Sequence, residues 1–209
     1  MCWNAEVSLN SFIFGVISFI ITMSMNTIDY KYLLLPLTVS SMQLVEYFAW
    51  KNINNKEAMA IISLMGMSLI LLQILIINIT VLHGKELTLT LTLIITLILL
   101  TSLAILTYVI NNNKLRMEKG VNGHLVWHWA DIPIPLLIII LSFYFVAAFM
   151  NNGKFKLIII LAFILLLISL YSYYKYKTWG SMWCYYANFG WIFFIGYSLL
   201  NLYKRKIKK

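Results

Sequence analysis

Charge and cysteine are scarce in this chain, and each shortage excludes a class of protein. Asp, Glu, Lys and Arg make up 11% of the residues, with only seven acidic side chains among them, against about a quarter in ordinary soluble domains. A water-facing surface of normal size cannot be built from so few. The two cysteines, Cys2 and Cys184, can form at most one disulfide and cannot hold zinc alone. The first apolar run follows Met1-Cys2-Trp3-Asn4-Ala5-Glu6 without a basic leader or a small-residue cleavage site, so it reads as an uncleaved spanning helix rather than a signal peptide. The last apolar run contains no lysine, which disfavours a retinal Schiff base. No inverted repeat or pair of broken helices marks a transporter mechanism.

What is abundant is apolar. Hydrophobic residues are 62% of the chain and the mean hydropathy is +0.85, which predicts an integral membrane protein whose partner is the lipid bilayer. Each spanning helix needs about 20 apolar residues. The expected architecture is all-α: a polytopic transmembrane bundle of seven helices in one domain over residues 1–209, with spans at about 7–25, 32–50, 58–82, 87–110, 132–150, 155–174 and 181–203. The net charge of +9 sits in loops and in the tail Lys204 to Lys209. Nothing like a reading helix or a stacking sheet accompanies it, so the tail is expected to meet anionic lipid headgroups and not nucleic acid.

Within this apolar background one carboxyl needs an explanation. Pro36, Ser40, Gln43, Glu46 and Trp50 recur at spacings of three and four and share one face of the second helix. A carboxyl in lipid is costly unless it is paired, hydrogen-bonded or protonated, so Glu46 is expected to point into the bundle. Ser8, Ser11, Gly15, Ser18 and Thr22 form a small-residue face on helix one, suited to close helix packing. Gln73 on helix three is read as an interhelical hydrogen bond, and helices four and six as peripheral. Helix seven gathers Ser181, Cys184, Asn188 and Trp191 on one face.

With seven crossings, Cys2, the end of helix two, the connection Asn111 to Asp131 and the start of helix seven fall on one membrane side. Glu46 and Asn188 each lie about 6 Å inward from a rim residue at 1.5 Å per residue, so they could sit at one depth. Lys and Arg number seven on the N-terminal side and nine on the other, a near balance that the dense tail tips towards a cytoplasmic C-terminus. Cys2 and Cys184, both expected near the rim, could then bond on the outer or lumenal face.

Met1-Cys2-Trp3, Gln43-Leu44-Val45-Glu46 with Trp50, and Ser181-Met182-Trp183-Cys184-Tyr185-Tyr186-Ala187 together resemble the motifs of an uncharacterised family of multi-pass membrane proteins found in bacteria, algae and large DNA viruses. The resemblance covers about a tenth of the chain. It implies a shared polar site of Cys2, Gln43, Glu46, Trp183 and Cys184, and it carries no activity or cofactor. The chain departs from the family at Asn4, where Ser is usual, and at Met42, where a second Gln is common. The Ile, Asn, Lys and Tyr bias fits an AT-rich genome and is compatible with a viral origin.

Three functions are compatible with these residues. One is a structural or membrane-organising bundle whose polar contacts set which helices pair, with Glu46 bonded to Gln43, Asn188 or indole N–H groups. A second is a transporter, channel or small-molecule sensor with a wet vestibule around Gln43 and Glu46. The third is an intramembrane hydrolase with His124, His128 and Asp131 or Glu46 on a metal. His124 and His128 would form a ligand pair on one helical face, although histidines and tryptophans in such a loop also suit the headgroup zone. Seven-span ceramidases keep their metal ligands inside spans, and the last helix here has no histidine. The structural reading is favoured.

Overall fold

The computed structural model describes residues 3–81, 88–150 and 156–207. Its helices are α1 (Ala5–Ser24), α2 (Lys31–Lys51), α3 (Lys56–Val81), α4 (Thr88–Asn111), α5 (Ile134–Met150), α6 (Lys156–Tyr173), α7 (Trp179–Asn188) and α8 (Gly190–Ile207). The expected all-α bundle is present, with the expected seventh helix drawn as the pair α7 and α8. Among the described residues, four helical stretches are long and apolar enough to cross a membrane: Ala5–Ser24, Lys56–Thr80, Thr92–Asn111 and Ile159–Tyr176.

Local chemistry explains where the helices begin. Asn4 caps α1, its side-chain oxygen accepting from the Val7 N–H at 2.8 Å, and Glu6 sits in the first turn where the helix dipole favours an acid. At the other end of the chain, α8 runs on to Ile207, four residues past the expected end of the last span. Lys204, Arg205 and Lys206 lie in its final turn, where cations oppose the negative pole of the dipole.

α2 is the hub, packing against α1, α3 and α7. Eight of its residues are buried, Ser40, Gln43 and Glu46 among them, so its polar face looks inward as the spacing predicts. α1 turns Ser8, Gly15, Ser18 and Thr22 into the bundle. α4 and α6 lie at the periphery, with Leu93, Leu103, Ile164 and Leu167 exposed along their outer faces.

Two features differ from expectation. The connection between α4 and α5 is not a loose loop: Met117–Lys119 (β1) and Leu125–Trp127 (β2) pair antiparallel, Met117 opposite Trp127, and a single 3-10 turn follows at His128–Ala130. The hairpin closes through the Gly120 N–H to His124 carbonyl bond at 2.8 Å. Its turn contains Asn122-Gly123, a strong hairpin signal. The last helix, expected to be continuous, is interrupted at Phe189, whose N–H reaches back only three residues to the Tyr186 carbonyl. Glycine at position 190 weakens the helix there, and the tight turn has a structural use described next.

Candidate functional site

One buried polar cluster is a joint between four helices. Ser40 Oγ of α2 lies 2.5 Å from Asn188 Oδ1 of α7 and accepts the indole N–H of Trp191 of α8 at 2.8 Å. Asn188 Nδ2 donates to the Ser11 carbonyl of α1 at 2.7 Å. Side chains three apart eclipse one another in a 3-10 turn, so the interruption at Phe189 lets Asn188 and Trp191 reach the same hydroxyl. Gly15 of α1 completes the joint: a Cβ there would lie 2.3 Å from Ser40 Oγ. Only a bare backbone fits.

Gln43 and Glu46 stand one and two turns towards the cap from this joint, both fully buried. Glu46 lies within electrostatic reach of Cys184, as Cys184 does of Tyr144. Tyr144 of α5 donates to Gln73 Oε1 of α3 at 3.2 Å, and Gln73 Nε2 donates to the Thr38 carbonyl of α2 at 3.2 Å. Trp183 meets the Tyr144 ring edge-on at 5.2 Å and gives its indole N–H to the Ala162 carbonyl of α6. The expected pocket residues Gln43, Glu46, Trp183 and Cys184 thus belong to one buried region, and Trp50 is half-buried beside the same apolar core.

Asn188 departs from the expected arrangement. It is engaged by Ser40 and Ser11, and Ser40 precedes Glu46 by six residues, about 9 Å along the helix. Asn188 and Glu46 therefore do not share a depth. Cys184, expected near the rim, is a free thiol only 1% exposed. Cys2, and with it the disulfide expectation, lies outside the described residues.

Above this region the hairpin forms a cap. Leu125, Trp127 and Trp129 are buried in the main core, so these indoles do not face a headgroup layer as expected. Trp127 and Trp129 stack at 4.9 Å and 13°. Gly180, at the start of α7, admits the Trp127 ring: a Cβ there would lie 2.8 Å from its Cε3. The cap is tied down by Asp131, whose carboxylate meets Lys177 Nζ at 2.8 Å and Lys114 Nζ at 3.2 Å. Partial burial pushes the Asp131 pKa up, but the two ammonium groups outweigh it and hold the carboxyl below its usual range. Burial opposes the charge on Lys114 as well, yet its bonds to Tyr108 and Asp131 raise its pKa.

The proposed metal ligands are dispersed by this fold. His124 and His128 flank strand β2 instead of sharing a helical face, and the four residue steps across its three residues set them about 13 Å apart. His128 Nε2 lies 2.8 Å from Glu118 Oε1, while Asp131 serves the two lysines. Burial lowers the pKa of His124, whose ring packs edge-on to Tyr173. Among the described residues, no three His, Cys, Asp or Glu side chains converge as a metal site requires.

Two cavities flank the Tyr144–Trp183 pair. One, about 360 Å³, lies under the cap between α3, α4, α5 and α7; the other, about 330 Å³, lies between α2, α6 and the α7–α8 junction. Both are lined almost wholly by apolar side chains, and neither is lined by Gln43 or Glu46.

No protein-family model, curated protein or solved structure matches the chain. Its chemistry must be read from its own residues. Sequence reasoning did not single out Tyr144, which lies in an apolar run with no polar periodicity, or Gly180, whose role is visible only once Trp127 is placed against it.

Proposed function

We propose that this chain is a multi-pass integral membrane protein with a structural or membrane-organising role, in which the buried polar residues join helices. The observation that carries this reading is the Ser40 hydroxyl, engaged by Asn188 of α7 and Trp191 of α8 while Asn188 holds α1. Gln73 and Asn78 support it in the same way, the first bonding to α2 and α5 and the second donating to the Phe143 carbonyl of α5 at 2.9 Å. Such bonds average about 0.6 kcal/mol each in membrane proteins, so their main effect is to select helix partners. Seven crossings, a cytoplasmic C-terminus, contact of the terminal lysines with anionic headgroups and kinship with the multi-pass family belong to the same proposal.

The competing reading, a wet vestibule around Glu46, is disfavoured by the complete burial of Gln43 and Glu46 and by apolar cavities that exclude both. Single cysteines at 43 and 46, in a background with Cys2 and Cys184 changed to serine, separate the two. A packed joint predicts that a water-soluble maleimide leaves both unlabelled in the folded protein and labels them after denaturation. Rapid labelling of the folded protein would establish the vestibule and end the structural reading.

A further inference from the structure

The cavity between α2, α6 and the α7–α8 junction, about 330 Å³, has one charged side chain among its described lining residues. That residue is Lys31, the first of α2. The α2 wall extends from there to Val39, eight residues further on, about 12 Å along the helix. One leaflet holds roughly 15 Å of hydrocarbon, half the thickness of the bilayer core. Trp183, 5% exposed, lines the cavity on the bundle side, whereas Leu161 and Ile164 of α6 line it while 43% and 44% exposed. The space is therefore a groove on the apolar flank, about one leaflet deep and cationic where α2 begins.

The rim around Lys31 is basic as well. Arg205, in the last turn of α8, donates to the Asn26 carbonyl at 3.3 Å. This contact sets Lys204, Arg205 and Lys206 against the turn that leads into Lys31. The only acid in these two segments is Asp29, so four cations face one carboxylate. Asp29 Oδ2 lies 3.2 Å from Lys31 Nζ, with the two side chains 46% and 38% exposed. An ammonium carries three donors, so a phosphate oxygen can share Lys31 with Asp29. In the orientation proposed above, this rim lies in the cytoplasmic leaflet, where anionic lipids concentrate.

We propose that this groove holds an anionic phospholipid, its phosphate on Lys31 and one acyl chain lying along α2 and α6 towards Trp183. Charge at the rim selects the head and the apolar walls take the chain. Entry is lateral, past Leu161 and Ile164. The site rests on the membrane-spanning reading and is independent of the polar residues acting as joints.

The test uses the full chain in phosphatidylcholine nanodiscs and follows tryptophan fluorescence as part of the lipid is replaced by phosphatidylglycerol or phosphatidylcholine brominated at mid-chain. Brominated phosphatidylglycerol should quench saturably, with a midpoint mole fraction about 5-fold below that of brominated phosphatidylcholine, the worth of one lysine at an anionic surface. Lys31→Gln should bring the two midpoints together, whereas Lys206→Gln, exposed on the same rim, should leave them apart. Gly190 lines the groove and a Cβ there meets nothing within 4 Å. Gly190→Phe should therefore fill the groove and leave only quenching that rises linearly with either lipid, with an unchanged circular dichroism spectrum. Linear quenching of the parent chain would reveal only collisions from surrounding lipid and overturn the site. Equal midpoints in the parent, or the same loss in Lys206→Gln as in Lys31→Gln, would overturn the selection of an anionic head by Lys31. Quenching by neither lipid would refute the membrane-spanning reading itself, and the site with it.

Discussion

Replacing Gly15 with alanine would put a methyl group 2.3 Å from Ser40 Oγ, 2.4 Å from Ser40 Cβ and 3.1 Å from Asn188 Oδ1. Ser40 cannot swing aside without cost, because it is fully buried and its hydroxyl is held by Asn188 and Trp191. Either α1 backs away by about an ångström or the joint opens. Overpacking of this kind costs about 1–3 kcal/mol, and losing two interhelical hydrogen bonds adds about 1 kcal/mol. The expected destabilisation is therefore about 2–4 kcal/mol. Gly196→Ala in α8 is an internal control, since a Cβ there meets nothing within 4 Å; it should be neutral or stabilise by up to about 1 kcal/mol through helix propensity. Equilibrium unfolding in mixed micelles, followed by tryptophan fluorescence, measures both. A Gly15→Ala variant within about 0.5 kcal/mol of the parent would refute close packing of α1 on Ser40.

Three further outcomes follow from the same geometry. Gly180→Ala should displace Trp127 from α7, and trypsin cleavage at Lys119 should then accelerate while the helical circular dichroism persists. Asp131 has a folded-state pKa below its ordinary value of 3.8, so its latch to Lys114 and Lys177 is fully present above that value and is lost as pH falls through the lowered one. The half-exposed pairs limit the effect to about 1 kcal/mol; the near-ultraviolet circular dichroism of the stacked Trp127 and Trp129 should weaken on acidification below about pH 4, and Asp131→Asn should remove that dependence. Tyr144→Phe should cost about 0.6 kcal/mol through loss of its bond to Gln73, read as a small shift in the unfolding midpoint.

The helices are legible in the sequence because spanning length and apolar composition leave few alternatives. Where both lie inside the described residues, expected and observed helix ends differ by two residues or fewer, except that the last helix divides at Phe189 and continues through Lys204 to Ile207. The inward faces are legible too, since Ser40, Gln43 and Glu46, or Ser8, Gly15, Ser18 and Thr22, recur with helical period and are buried. What the period does not encode is pairing across helices. Depth counted along isolated helices set Asn188 level with Glu46, whereas the turn at Phe189 and the missing side chain of Gly15 bring Asn188 to Ser40. The cap was hidden for a different reason. Its histidines and tryptophans resemble headgroup anchors by composition, and only the Asn122-Gly123 turn hints that Met117 folds back onto Trp127.

A double-mutant cycle on Ser40→Ala and Asn188→Ala bears most directly on whether buried polar side chains join these helices. The joint predicts a coupling energy of about 0.5–1.7 kcal/mol in equilibrium unfolding, because either single change already breaks the bond between α2 and α7. Strictly additive effects would contradict it.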